Sequence, residues 1–367
     1  MASNSFGIIF RITTWGESHG SAIGVIIDGC PAGLALNNED INLELRKRRP
    51  GTSPYTSPRQ ERDQAEILAG VFEGQTTGAP LSIIIPTEDA RPAAYESFKT
   101  LLRPGHGTFT YHAKYGVFDY RGGGRASARE TACRVAAGAV AKKLLAVSGI
   151  QVAAYMRELG GIYLPAAPGD NLPALAQRVA ASPLRCHDSS TEPALAALLA
   201  STIAAGDSLG GIVECLAQVP PGLGDPLYEK LEARLAYAML SIPASRGFEL
   251  GEGFAAARQR GSAHNDTFIC DEQGTLKPAS NNAGGVLAGI STGLPLIFRV
   301  AFKPTSTIAQ PQQTVDLGGN PATLSPGPLA RHDPCVAIRA VAVVEAMAAL
   351  VLADALLLNH RAQLKNT

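Results

Sequence analysis

The stretch Tyr120 to Arg134, YRGGGRASARETACR, sets Arg121, Arg125, Arg129 and Arg134 around three consecutive glycines, with Glu130 as its one acid. Glycine lets a ligand approach the backbone closely, and the free N–H groups of a helix start favour phosphate, so these residues outline an anion site. Ser127 and Glu130 fit an S-x-x-E capping box, which places the helix start here. Arg129 then falls in the first helical turn, where the macrodipole disfavours a cation, and Arg125 lies one turn earlier, so both can face one ligand. A ligand's negative charge accounts for that placement; a capped helix with solvated arginines is the alternative. Neither G-x-G-x-x-G nor G-x-x-x-x-G-K-[ST] occurs, which argues against a Rossmann or P-loop nucleotide site.

Arg46, Lys47, Arg48 and Arg49 form a second basic cluster before PGTSP, and LLRPGHG places Arg103 three residues before His106. The planar, permanently charged fork of arginine suits carboxylate and phosphate, although exposed charge runs of this kind are common on surfaces. Three histidines stand beside glycine, arginine or a carboxylate: His19 in GESHG, His106 in RPGHG and His332 in RHDP. Imidazole titrates near neutrality and can deliver a proton to an anionic ligand or leaving group. No HxxxH or HxH spacing supports a metal. FKPTST, Phe302 to Thr307, joins an apolar run to hydroxyls and Lys303, a holder for phosphate that is weak taken alone, since Ser and Thr also dominate ordinary turns.

The elements that must position these groups show a pattern of repetition. SAIGVIIDGCPAGL (21–34) and SLGGIVECLAQVPPGL (208–223) each place a β-rich run before Pro, Gly and Leu; TTGAPLSI (76–83) and STGLPLI (291–297) each feed a strand from a turn. Two related pairs in the same order suggest an internal duplication within one α+β domain. Between the copies, PALAQRVAA and EPALAALLASTIAAG carry helical periodicity, and a long helix should follow the glycines to about Ser148. The apolar run Val341 to Leu358 contains Glu345 and Asp354, costly in lipid, so a buried or subunit-facing helix is expected rather than a membrane span.

Composition narrows the class. Hydrophobic residues make up 46% and charged residues 17% of the 367, which suggests much surface buried in a large core or between subunits. Lys plus Arg balance Asp plus Glu at 32 each, so no global field draws the chain to nucleic acid or membrane, and any anion site is local. The six scattered cysteines never form CxxC and indicate neither zinc nor a disulfide framework. The N-terminus carries no export pattern, and a cytoplasmic location is expected.

TTWGESHG, KRRPGTS, RPGH, KYGVFDYRGGGRASARETACRVAAGA, FKPTST and RHDPCVAIRAV, in that order along nearly the whole chain, resemble the motifs of the chorismate synthase family. The resemblance implies a β-α-β sandwich with internal pseudo-duplication (about 7–150 and 205–358), a homotetramer, and reduced FMN as cofactor, with NADPH as the indirect source of reducing equivalents. It implies the 1,4-elimination of phosphate from 5-enolpyruvylshikimate 3-phosphate to give chorismate, redox-neutral overall. By match to the family, Arg48, Arg103, Arg129 and Arg331 would bind substrate. His106 and His19 would be the proton donors to the reduced flavin and the leaving phosphate, with the assignment between the two left open, and Asp333 would work with the flavin N5 in removing the ring proton. Cofactor contacts map onto Arg48, Arg125, Ala126, Ser127, Pro243, Ala244, Ala288, Lys303, Pro304, Thr305, Ser306, Thr307 and Arg331. Ala126, Pro243 and Ala288 depart from the usual Ser, Asn and Gly, and Pro54 and Thr108 from the usual Arg and Asp. A diverged paralogue acting on a related anionic cyclohexene and a silent flavin-binding protein are the rival readings. The compact length resembles members without an intrinsic flavin reductase.

Overall fold

The computed structural model describes residues 3–167, 169, 171–325, 332–360 and 362–363. The β-rich runs at 21–34 and 208–223 become the strands Ala22–Asp28 and Gly211–Gln218, each the middle strand of a five-stranded antiparallel sheet. The first sheet runs Ser5–Phe6, Arg11–Trp15, Ala22–Asp28, Leu81–Pro86, Glu66–Ala69. The second runs Ile162–Tyr163, Gln151–Leu159, Gly211–Gln218, Leu296–Phe302, Ser245–Leu250. Leaving aside the two-residue strands, the four long strands of each sheet follow the same spatial order by chain position, first, second, fourth, third.

Helices α1 (Asn38–Arg48), α2 (Thr131–Val147), α3 (Leu231–Leu240) and α4 (Ala337–Asn359) fill the space between the sheets. α2 packs on Ala22–Asp28, α4 packs on Gln151–Leu159 and Gly211–Gln218, and the two helices pack on each other. Their approach depends on Gly138, where a Cβ would lie 2.5 Å from that of Ala346. α4 is apolar and long enough to cross a membrane, yet 89% of its apolar window is buried inside the protein. Both of its internal acids are satisfied there. Asp354 accepts from the N–H groups of Ile8, Ile9 and Phe10 at 2.7–3.0 Å and from Arg234, while Glu345 binds Lys142 and the N–H of Ala154.

The recurring turns agree in detail. Gly33 N–H donates to the Thr76 carbonyl, Thr76 N–H to the Leu34 carbonyl, and the Thr76 hydroxyl accepts from Leu34 N–H and donates to the Pro31 carbonyl. Gly222, Ser291, Leu223 and Pro220 repeat all four bonds, each within about 0.1 Å of its counterpart. Each turn is followed by a strand of its sheet, Leu81–Pro86 or Leu296–Phe302.

One local expectation needs correction. Ser127 and Glu130 do not form a capping box: Ser127 accepts from Arg129 N–H, residues 128–130 make a 3-10 turn, and the α-helix starts at Thr131. The Glu130 carboxylate turns away to Thr14 and Arg134, because a full charge partner at i+4 outcompetes a neutral backbone N–H.

Candidate active site

Loops from both halves of the chain converge on one cleft of about 360 Å³. The hairpin turn after Arg11–Trp15 brings His19, the RPGHG turn before the helix Thr108–Tyr115 brings Arg103 and His106, and the glycine loop enters before α2. From the second half come Pro243 and Ala244 after α3, Lys303 to Thr307 at the end of Leu296–Phe302, and Asp333 and Arg339 around the start of α4.

The glycines are needed for two histidines. Gly122 and Gly123 have φ of +61° and +91°, and a Cβ on Gly122 would meet the His19 ring at 2.6 Å, one on Gly123 the His106 ring at 3.0 Å. The His19 ring stands edge-on to Tyr95, centroids 5.0 Å apart, and its Nδ1 accepts from Arg91 N–H, which assigns the proton of the neutral ring to Nε2 at Gly122. His106 Nδ1 lies 3.3 Å from the Thr108 hydroxyl, so Thr108 still supplies a hydrogen-bonding group at the position where the family pattern has Asp. Burial, then the nearby charges of Arg103 and Lys303, pull the His106 pKa down to about 3, leaving a neutral imidazole at pH 7.

Seven cationic side chains line the cleft, and Asp333 is its one carboxylate among the described residues. Asp333 is pinned at both oxygens, accepting from Ser57 N–H at 2.8 Å and Arg339 at 2.9 Å. Arg103 is 7% exposed, its Nη2 is buried without a hydrogen-bond partner among the described residues, and burial lowers its pKa to about 10. Lys303 holds the Gly105 carbonyl at 3.2 Å and the Ser306 hydroxyl, with its pKa lowered by burial and by Arg246. Arg48 and Arg129 reach the cleft but are buried against Asp63, and Arg129 also pairs with Glu61 at 3.6 Å. Burial and Arg339 lower the Arg48 pKa, yet the guanidinium keeps its charge.

Of the residues singled out in the sequence, Arg48, Arg103, His106, Ala126, Ser127, Arg129, Pro243, Ala244, Lys303 to Thr307 and Asp333 meet in this cleft, and His19 packs on its Gly122 wall. Arg125 does not face it with Arg129. It turns to Thr14 and Asn4 in a neighbouring groove, and the negative charge that explains Arg129 is supplied by Asp63. Ala288 sits exposed in the hairpin before Leu296–Phe302, so a seven-residue strand, about 23 Å long, separates it from Lys303. Pro54 is exposed outside the cleft, and Arg331 lies outside the described residues. Sequence reasoning missed Arg59, Glu61, Asp63, Tyr95, Arg246 and Arg339. The alternation in SPRQERD was the available signal, but with charges on both faces it reads as a solvated run.

The chain matches the family model described as chorismate synthase over residues 10–357. It is similar to the chorismate synthases of Protochlamydia amoebophila (56% identity, 99% of this chain and 100% of the relative), Porphyromonas gingivalis (52%, 97% and 96%) and Methanosarcina mazei (50%, 97% and 97%). A crystal structure of a chorismate synthase superposes with a TM-score of 0.76 at 34% identity, covering 96% of this chain and 92% of that one. The cleft and these likenesses lead to one assignment: the chain belongs to the chorismate synthase family, a family of lyases.

Proposed function

We propose that the cleft eliminates phosphate from 5-enolpyruvylshikimate 3-phosphate to give chorismate, with reduced FMN held beside the substrate. The observation that carries this is Arg103, a buried guanidinium whose Nη2 has no partner among the described residues, in a cleft lined by seven described cations within a chain of zero net charge. A substrate with one phosphate and two carboxylates supplies the missing charge. The donor set fits a flavin phosphate: Lys303, Ser306 and Thr307 offer an ammonium and two hydroxyls, while Ala126 and Pro243 contribute backbone alone. When bound, reduced FMN supplies transient electron density to the reacting ring.

The protein's own groups do the rest. Arg48, Arg103 and Arg129 bind and orient the substrate's anionic groups. Asp333, held at both oxygens, accepts the ring proton without swinging. His106 takes up a proton once a bound anion offsets Arg103 and Lys303, and His19 presents Nε2–H at Gly122. In anaerobic assays, chorismate should form only with dithionite-reduced FMN, and His106→Ala should fall by about 10²-fold or more. Tight binding of flavin and substrate without product would overturn this reading.

We also infer a single domain with internal pseudo-duplication, about 7–150 and 205–358, in which the second sheet also takes in the strand Gln151–Leu159 from ahead of the second unit. The shared strand order and the four repeated turn bonds support it. A cytoplasmic homotetramer fed indirectly by NADPH completes the reading. Ala288 reaches a flavin only from a second copy of the chain.

A further inference from the structure

The segment Ser57 to Ala65 runs from the wall of the cleft, which Ser57 and Arg59 line, to the buried groups beneath it, with its burial alternating. Ser57, Glu61, Asp63 and Ala65 are buried and Arg59 is half-buried, while residues 58, 60, 62 and 64 are exposed. Its inner row ties together the groups of the site. Ser57 N–H holds Asp333, Arg59 holds Ser18 beside His19, and Glu61 joins Arg59 to Arg129. Asp63, 3% exposed, binds Arg48 through Oδ2 at 2.9 Å and Arg129 through Oδ1. Asp63 also holds a left-handed φ of +47°, a conformation a non-glycine residue keeps only when its surroundings enforce it.

Asp63 does not line the cleft, whereas Arg48 and Arg129 do. Two buried guanidiniums repel, and a shared carboxylate fixes their separation and aims their remaining N–H groups. We propose that Asp63 is a positioning residue for the elimination, setting the spacing and orientation of Arg48 and Arg129 against the substrate's anionic groups. The proposal rests on the cleft being the site of that reaction. Replacing Asp63 by Asn leaves one acceptor and turns an NH₂ toward the other guanidinium, while making the cleft more positive. Anion binding therefore persists and turnover suffers, a split that loss of fold alone does not produce.

The test is kcat and KM of full-length Asp63→Asn and Asp63→Glu with reduced FMN, beside inorganic phosphate binding by calorimetry and thermal melts. For Asp63→Asn, kcat should drop on the order of 100-fold, with KM within roughly threefold of wild type and phosphate affinity not weakened. Asp63→Glu keeps the charge on a longer arm and should show the same split to a smaller degree, which carries the test if the Asn variant does not fold. A folded Asp63→Asn with kcat within about twofold of wild type, or with its loss confined to KM, would overturn the proposal. Failure of wild type to make chorismate would instead overturn the reading of the cleft, and the proposal with it.

Discussion

His106 is buried, with Arg103 and Lys303 nearby and Asp333 the one carboxylate among the described lining residues, so its imidazole resists protonation. Inorganic phosphate should reverse this, raising the His106 pKa by on the order of one unit or more, as read from ring nitrogen shifts in NMR titrations. No movement with saturating phosphate would mean that the anion binds elsewhere. The same shift makes a stability prediction. Because the folded value, about 3, lies below the ordinary 6.5, the unfolded chain takes the proton first as pH falls. His106 thus contributes stability above about pH 6.5 that is lost on the way to pH 3, and His106→Asn should flatten the acid limb of a urea stability profile. His19, His106, Arg103 and Asp333 were all legible as residue types in motifs. Asp63 was not, since a buried bridging carboxylate and a solvated one look alike in the string SPRQERD.

Among the elements, α4 shows how buried charge directs packing. Asp354, 1% exposed, takes three N–H groups of the 8–10 turn as well as Arg234, so it anchors the N-terminal strands to the core helix. Asp354→Asn keeps the shape but removes the charge, and it should lower stability by about 3 kcal/mol, seen as a shift in the urea midpoint with the slope unchanged. An unchanged midpoint would show that the amide serves the turn equally well. The periodicity of α4 and the helical run after the glycines could be read directly from the sequence. The first turn of α2 could not, because Ser127 and Glu130 have the capping-box spacing and only the position of Arg134 and Thr14 decides where the Glu130 carboxylate goes.

For the whole molecule, the apolar composition and the exposed Phe268, Ile269 and Leu276 on the hairpin Phe268–Cys270/Leu276–Pro278 bear on assembly. A lone two-stranded hairpin is marginal in water, which suits one covered by a second copy. Light scattering should give four times the 38.2 kDa chain, and Phe268→Glu with Leu276→Glu should shift the population to smaller species. An unchanged tetramer would place the interface on another face. The sequence by itself determined the strand-turn repeats, the long helices, the glycine loop and the list of arginines and histidines, because these depend on local periodicity and on residue type. Only the tertiary structure decided which arginines are already neutralised and which await a ligand. Asp63 stands 15 and 66 residues from the two arginines it pairs, and Arg103 has no such partner among the described residues. Charge compensation acts through space, and chain separation carries no record of it.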